Sequence, residues 1–483
     1  MKILMVSSEA VPFAKSGGLA DVTTSLSQAL SVLGHDVRIL IPRYASIKLE
    51  PSNEIPVSCI VDLQIGSQTV VVRTLKVDNL QFLFVEHPWF SERQGIYGDT
   101  SFQPYLDNAI RFTLLDKTAL AYCKTTAWVP DIIHCHDWTS GFVPYLMKQD
   151  KSGFFDKTGS VITIHNLAYQ GEFSRLDLLL LQIRSDERLF SGKGIYKKLN
   201  MLKAAIEYAN TITTVSPTYA KEIQSQQYGC GLDELLRSRK NRIFGVLNGI
   251  DTHEWNPAED MYLPYRFSEK DLRGKAETKR MVQQRFNLPV DEKACLIGII
   301  SRLAEQKGFF ELIEGPDFAL KHMLEDLPVQ VLIIGTGDKR LEESLSEMAK
   351  AYKNLSFNMI FSNEAAHLVE AASDFFLMPS RYEPCGLNQM YSLAYGTIPI
   401  VRKTGGLADS VIDIDQHPKQ GTGIVFDTLS GQAIYDSVKR AVQLYTDDPE
   451  RMHELRKRGM AIDFSWNRSA REYEKIYNGS KKG

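Results

Sequence analysis

The feature that most constrains the fold is an alternation of short apolar runs with helical patterns along the whole chain. Runs rich in β-branched residues recur, such as KILMV, VRILI, SVITI, CLIGII, VQVLII and TIPIV. Many strand-like runs precede stretches such as DVTTSLSQALSVLG and HLVEAAS, which have helical periodicity. Apolar strands that alternate with helices are typical of parallel sheets covered on both faces. The pattern therefore predicts an α/β protein with doubly wound, mostly parallel sheets.

A polar loop near the middle of the chain divides this series in two. The stretch VLNGIDTHEWNP, residues 246–257, contains Asn-Gly and Pro, which mark turns and loops. At about 150 residues per domain, 483 residues predict two to four domains. We expect two halves joined at this loop, a closing helix NRSAREYEKIY that packs on a neighbour, and frayed last residues NGSKKG.

Charge and cysteine content limit the partners and the compartment. With 56 Lys and Arg against 59 Asp and Glu, the net charge of −3 argues against nucleic acid or a membrane surface as the main partner. The N-terminal apolar run is shorter than that of a signal peptide, and no window reaches the length of a membrane span. Six cysteines without a C-x-x-C pair are typical of reduced thiols. We expect a soluble, cytoplasmic protein.

Two nearly identical glycine motifs stand far apart in the chain. KSGGLADV at 15–22 and KTGGLADS at 403–410 each follow a predicted strand and lead into a helix. Paired glycines at such a turn let the backbone approach an anion, which the helix N-terminus and the nearby lysine attract. The two copies predict a phosphate-bearing ligand between the halves. The alternative is that both glycine pairs serve tight packing alone.

Further positive charge follows another predicted strand. SRLAEQKG at 301–308 carries Arg302 and Lys307, and GTGD at 335–338 is a third glycine turn at a strand end. Arginine can grip a phosphate with two hydrogen bonds, and lysine adds a compact point charge. Without other support, an arginine and a lysine in a surface loop are more often solvated charges than ligands.

Taken together, the motifs resemble one known family. They are KSGGLADV, HCHDW (134–138), HNLAYQG (165–171), LNGID, SRLAEQKG, RYEPCGLNQMYSLAYGTIPIV and KTGGLADSV, in this order from residue 1 to about residue 477. The combination is similar to bacterial glycogen synthases and plant starch synthases, the ADP-glucose-dependent α-1,4-glucan synthases.

The resemblance implies a GT-B fold, in which two Rossmann-like domains face each other across a cleft. The implied domains are 1–249 plus 465–483, with a returning C-terminal helix, and 250–464. It implies transfer of glucose from ADP-glucose to the non-reducing end of an α-1,4-glucan with retention of configuration, and neither metal nor other cofactor. The compartment would be the cytoplasm, or a plastid if a transit peptide had been removed.

The resemblance also assigns a set of residues to the donor. Lys15 and its turn would hold the phosphates from the N-terminal side, and Arg302 and Lys307 would neutralise them from the C-terminal side. Tyr382 or Phe361 could stack on the adenine. The full donor-binding set is Lys15, Gly17, Gly18, Arg302, Lys307, Tyr382, Cys385, Gly386, Leu387, Thr404, Gly405 and Gly406.

The reaction needs fixed cations at the diphosphate and polar groups around the sugar, because positive charge builds on the ring as the C–O bond breaks. Glu383, His165 and Asp137 are the candidates near the sugar. Many GT-B enzymes carry a second Glu eight residues after the first, where this chain has Tyr391. We therefore favour front-face attack, with a covalent intermediate on Asp137 as the alternative. Outside the family, Glu383 could be a salt-bridged carboxylate and His165 a structural histidine.

Aromatic faces and amides bind sugars, and four such residues lie in or beside the motifs. The predicted acceptor-binding residues are Trp138, Tyr97, Asn166 and Tyr169.

Two patterns could suggest a metal, and we expect neither to bind one. His134, Cys135 and His136 alternate along one strand, which places Cys135 on the opposite face and leaves no fourth ligand. Asp413 and Asp415 fit a D-x-D pattern without supporting context.

Two other functions remain open. A GT-B transferase that uses UDP-glucose or another acceptor is one, since phosphate contacts do not identify the base. An inactive glucan- or nucleotide-binding module is the other.

Overall fold

The computed structural model describes residues 1–49, 55–99, 103–360 and 362–481. The chain forms two compact units, Met1–Gly249 with Trp466–Gly483, and Ile250–Ser465. The strands of the described part, in chain order, are β1 (Lys2–Val6), β2 (Asp36–Pro42), β3 (Val57–Leu63), β4 (Gly66–Val77), β5 (Leu80–Glu86), β6 (Ile132–His136), β7 (Gly159–Ile164), β8 (Glu172–Ser174), β9 (Phe190–Ser191), β10 (Lys198–Asn200), β11 (Thr211–Thr214), β12 (Ile243–Gly245), β13 (Cys295–Ile300), β14 (Val329–Ile334), β15 (Leu355–Asn358), β16 (Phe375–Met378), β17 (Ile398–Arg402) and β18 (Ile424–Phe426).

Helices follow most of these strands, as the alternation predicts. Those of the described part are α1 (Gly18–Val32), α2 (Pro88–Ser91), α3 (Asn108–Thr125), α4 (Val143–Gln149), α5 (Met201–Tyr208), α6 (Pro217–Glu222), α7 (Asp233–Ser238), α8 (Arg273–Arg285), α9 (Ala319–Asp326), α10 (Lys339–Ala351), α11 (Asn363–Ala372), α12 (Asn388–Ala394), α13 (Gly405–Ser410), α14 (Gly431–Asp447), α15 (Pro449–Met460) and α16 (Trp466–Ser480). Within the described residues, no helix is both long and apolar enough to cross a membrane.

The first unit is built on a sheet with the strand order β12-β11-β7-β6-β1-β2-β5-β4-β3. Its pairs are parallel from β12 to β5, whereas β3, β4 and β5 pair antiparallel. The small antiparallel sheet β8-β10-β9 was not predicted, because strands of two or three residues carry no readable periodicity. The carboxyl ends of β1, β6 and β7 lie side by side and position the first group of candidate residues.

The C-terminal helix α16 belongs to this first unit, so the prediction that it packs on a neighbour is confirmed. Tyr477 lies 2.7 Å from the Nδ1 atom of His134, and Ser480 pairs with Thr211 through their hydroxyls at 2.7 Å. Because α16 continues to Ser480, the expectation of a frayed end was wrong for residues 478–480. Residues 482 and 483 of that stretch lie outside the described residues.

The second unit contains a six-stranded parallel sheet in the order β15-β14-β13-β16-β17-β18. Side chains alternate between its faces, and both faces are buried. Val331 and Ile333 of β14 belong to one apolar cluster, and Leu332 and Ile334 to another. This double burial explains why the strands are continuous apolar runs in the sequence.

Candidate active site

The first glycine turn, which precedes α1, is ordered by a carboxylate of the chain itself. The buried Glu9 accepts hydrogen bonds from the backbone N–H groups of Ser16 and Gly17 and from the Ser16 hydroxyl. Of the glycine pair that the sequence suggested for a phosphate, the N–H group of Gly17 is therefore already hydrogen-bonded within the chain. Lys15 is exposed and forms an ion pair with Asp21 at 2.8 Å. The exposed Gly18 begins α1.

Glu9 also connects this turn to the predicted acceptor residues. The Tyr97 hydroxyl donates to Glu9 Oε1 and lies 2.8 Å from the Ser8 hydroxyl. Burial and then the charge of Glu9 raise the pKa of Tyr97 well above its usual value, so the phenol stays protonated. The rings of Tyr97 and Trp138 lie 6.1 Å apart between centroids. Sequence reasoning missed Glu9, although its place just after β1 was a usable signal.

Asp137 and His165 lie together where β6 and β7 end. Asp137 Oδ1 accepts the backbone N–H of His165 at 2.8 Å, and Asp137 adopts a left-handed backbone with φ of +53°. Burial raises the pKa of Asp137 to about 7, although hydrogen bonds from the backbone N–H groups of His165 and Asn166 act to lower this pKa. Burial lowers the pKa of His165 to about 3, so its ring is neutral.

The remaining predicted acceptor residues differ in exposure. Asn166 follows His165, and its side-chain oxygen accepts the backbone N–H of Ala168 at 3.1 Å. Tyr169 is exposed, with 53% of its surface accessible. Trp138 is half-buried, and a Cβ on Gly171 would lie 2.5 Å from its ring, so a glycine is required there.

In the second unit, Lys307 and Glu383 form a close ion pair. Lys307 Nζ donates to Glu383 Oε2 at 2.6 Å, and the hydroxyl of Ser380 donates to the same oxygen at 3.0 Å. Glu383 is buried and Lys307 is half-buried. The partners are 76 residues apart in the chain but meet because β13 and β16 are neighbours in the sheet. Arg302 precedes Lys307 in the loop after β13, and it is exposed.

The second glycine turn is packed against the loop that carries Glu383. Gly405 has φ of +45°, and a Cβ there would lie 1.9 Å from the carbonyl oxygen of Glu383. A Cβ on Gly406 would lie 2.1 Å from the carbonyl oxygen of Cys385, and the Gly406 N–H donates to the Glu383 carbonyl. Thr404 is buried with them. The two copies of the motif therefore differ, since the first glycine pair is exposed and the second is buried.

The rest of the predicted donor set surrounds this loop. Gly386 has φ of +69°, and the half-buried Leu387 precedes α12. Cys385 is buried, and its carbonyl accepts from the side chain of Gln389. Tyr382 is half-buried. Phe361, the other candidate for adenine stacking, lies outside the described residues.

A cavity of about 300 Å³ lies at the strand-end loops of β13 and β14. Its arginines are already paired, Arg340 with Glu314 at 3.0 Å and Arg381 with Glu311 at 2.6 Å. The cavity therefore adds little free positive charge for a phosphate. Its lining residues are Glu305, Phe310, Asp338, Arg340, Leu341 and Arg381.

Comparison with known proteins identifies the family. A model of the starch synthase catalytic domain matches residues 2–238, and a model of group 1 glycosyl transferases matches residues 281–460. The glycogen synthase of Treponema denticola is 42% identical over 482 residues, which cover 99% of this chain and 98% of that protein. The glycogen synthase of Myxococcus xanthus is 43% identical over 489 residues, with 99% of each chain covered.

The chain belongs to the glycogen synthase family. As a member, it is a glucosyltransferase of glycogen or starch synthesis, so this part of the predicted function is confirmed.

Solved structures agree on the fold of this glycogen synthase family member. The catalytic domain of starch synthase IV from Arabidopsis thaliana, bound to ADP and acarbose, has a TM-score of 0.88 and 33% identity, with 99% of both chains covered. A sucrose-phosphate synthase from Thermosynechococcus elongatus has a TM-score of 0.60 and 18% identity, with 99% of this chain and 98% of that chain covered; it shows the fold alone. The predicted GT-B fold class is confirmed.

The D-x-D pattern of this family member has other partners. Asp413 is buried and accepts from the backbone of Val425 at 2.8 Å, while Asp415 is bound by Arg440 at 2.6 Å and Arg451 at 3.1 Å. Among the described residues, no group of three or more His, Cys, Asp and Glu could hold a metal ion.

Proposed function

We propose that this chain transfers glucose from ADP-glucose to the non-reducing end of an α-1,4-glucan, with retention of configuration. The observation that carries the proposal is the Lys307–Glu383 pair at the strand-end loops of the second unit, in a chain of the glycogen synthase family. The relative solved with ADP and acarbose supports a nucleoside diphosphate and a glucan-like ligand.

The donor phosphates are assigned to Arg302 and Lys307, with Lys15 as a further cation. A departing diphosphate gains negative charge, and fixed cations stabilise it most when they are held in place before the reaction. Lys307 is held in this way, because its ammonium group donates a hydrogen bond to the carboxylate of Glu383. Arg302 is exposed and free to close on the phosphate oxygens with two parallel hydrogen bonds.

The sugar is assigned to Glu383, His165 and Asp137. A neutral His165 can donate a hydrogen bond to a sugar hydroxyl without adding positive charge beside the developing oxocarbenium ion. Asp137, with its pKa raised to about 7, is partly protonated at neutral pH, so only part of the population carries the carboxylate that a covalent intermediate requires.

These properties favour front-face attack over a covalent intermediate. The position eight residues after Glu383 holds Tyr391, whose ring stacks on Trp255 at 3.6 Å between centroids, so no second carboxylate stands there. In the favoured step, the acceptor oxygen bonds to the anomeric carbon while the bond from that carbon to the phosphate oxygen breaks. The acceptor proton passes to a phosphate oxygen of the leaving ADP.

A donor competition assay tests the proposal. The full chain is incubated with glycogen and with either ADP-glucose or UDP-glucose, and kcat/KM is measured for each donor. We expect a clear preference for ADP-glucose, and a preference for UDP-glucose would overturn the donor assignment. Transfer from neither donor, with binding of ADP retained, would instead identify a binding module.

A pair of variants tests the assignment of Glu383. Glu383→Gln should abolish most of the turnover while ADP binding, followed by calorimetry, stays within a few fold of the unchanged chain. The matched control is Glu305→Gln, an exposed carboxylate in the loop of Lys307, and it should keep its activity. Unaltered turnover of Glu383→Gln would show that its role is misassigned.

A further inference from the structure

Three histidines lie side by side where β6 and β7 end. His134 and His136 alternate along β6 and therefore share one face of the strand. Their ring centroids are 4.3 Å apart, and the ring centroid of His136 is 5.3 Å from that of His165. The far end of the row is held by Tyr477 and Thr163, which lie 2.7 Å and 2.6 Å from the two nitrogens of His134.

One hydrogen bond joins the last two rings of this row. His136 Nδ1 lies 3.0 Å from His165 Nε2. Burial lowers the pKa of both rings, so each is neutral and carries one proton. A bond between two neutral imidazoles has one donor, and either ring could supply it. The choice determines which nitrogen of His165 carries its proton.

The second nitrogen of His136 decides between the two arrangements. His136 Nε2 is buried and has no hydrogen-bond partner among the described residues. If His165 were the donor, His136 would carry its proton on Nε2 and bury an N–H group without an acceptor, at a cost of about 1–3 kcal/mol. If His136 is the donor, only a lone pair is left unmatched, and unmatched acceptors are less rare than unmatched N–H groups.

We propose that His136 is a positioning residue that donates its Nδ1–H to His165 and thereby keeps the proton of His165 on Nδ1. Within the described residues, His165 is hydrogen-bonded to the protein through its Nε2 atom, which lies beside His136 Nδ1. The Nδ1–H group of His165 is therefore available to the substrate. His165 then acts as a hydrogen-bond donor to the transferred sugar. This deepens the proposed function and rests on it for the identity of the ligand.

A spectroscopic measurement tests the tautomer without any substrate. The full chain is labelled with ¹⁵N-histidine, and two-bond ¹H–¹⁵N correlations identify the protonated nitrogen of each ring. The His165 signals are assigned by their loss in His165→Gln. We expect a protonated Nδ1 and an unprotonated Nε2 at neutral pH. The reverse pattern would overturn the proposal, whether or not the chain uses ADP-glucose.

A pair of variants tests whether His136 sets this state. His136→Phe keeps a planar ring but removes the donor, whereas the amide nitrogen of His136→Asn can take the place of Nδ1. We expect His136→Phe to mix the two tautomers of His165 and to lower kcat by about 10- to 100-fold, the range found when an outer hydrogen-bond partner of a metal-bound histidine is lost. KM should change little, and His136→Asn should recover most of kcat.

The outcomes separate the two proposals. An unchanged His165 spectrum together with an unchanged kcat in His136→Phe would refute the role of His136. Absence of transfer from ADP-glucose in the unaltered chain, with the expected tautomer present, would refute the proposed donor alone. If His136→Phe does not fold, the spectra of the unaltered chain and of His136→Asn still test the tautomer of His165. A mixed or reversed tautomer in the unaltered chain contradicts the proposal.

Discussion

Alanine at equivalent positions of the two glycine motifs should destabilise the fold at Gly405 and have almost no effect at Gly17. Gly405 has a left-handed backbone, which costs an alanine about 1–2 kcal/mol. Its Cβ would also lie 1.9 Å from the carbonyl oxygen of Glu383, and such overpacking costs about 1–3 kcal/mol. Gly405→Ala is therefore expected to lower the free energy of unfolding by about 2–5 kcal/mol. The equivalent Gly17 has an extended backbone and nothing within 4 Å of its Cβ position.

Thermal unfolding of the two variants measures this difference. For a unit of about 200 residues, each kcal/mol shifts Tm by about 2–4 °C, so Gly405→Ala should lower the Tm of the second unit by about 4–20 °C. Gly17→Ala should change Tm by less than about 2 °C, because it introduces neither a clash nor a strained backbone. Equal Tm values for the two variants, or a larger loss for Gly17→Ala, would refute the conclusion that the second glycine turn is tightly packed against the loop of Glu383.

Three further predictions concern charge. Lys307→Met should lower kcat by about 10²–10³, measured with saturating donor, because it removes a cation held in place for the diphosphate; a loss below threefold would contradict this. Burial raises the pKa of Asp137 to about 7 in the folded chain, so folding becomes less favourable as pH rises from about 4 to 7 and this carboxyl ionises. Asparagine does not ionise. The stability of Asp137→Asn should therefore increase relative to that of the unaltered chain over this pH range. A stability difference that is constant with pH would count against the raised pKa. Asp415→Asn should leave transfer unchanged, and so should a metal chelator in the assay; inhibition by the chelator would show that a metal takes part.

Several strands could be predicted because the local sequence pattern reflects their burial. KILMV, VRILI, SVITI, CLIGII, VQVLII and TIPIV lie in β1, β2, β7, β13, β14 and β17. Strands covered by helices on both faces are apolar at most positions, so a short window identifies them. The antiparallel arrangement of β3, β4 and β5 could not be read in this way, since pairing direction depends on which strands become neighbours.

The candidate residues of the site were predictable, but their partners were not. The motifs led to Glu383, Lys307 and His165, because glycine turns and charges after strands mark the edge where ligands bind. Nothing in the local sequence around Glu9 indicates that its carboxylate orders the KSGG turn. Nothing around Tyr477 indicates a contact with a histidine 343 residues earlier.

The sequence by itself determined the strand and helix alternation, the positions of both glycine turns and the family. The alternation and the turns depend on residues close together in the chain, and the family on the order of short motifs along it, so a linear pattern contains all of them. Only the tertiary structure decided that one glycine turn is exposed beside Glu9 and the other is buried under Glu383, although the two share nearly the same letters. The reason is that burial and hydrogen bonding depend on what approaches from distant parts of the chain, and identical local sequences meet different neighbours.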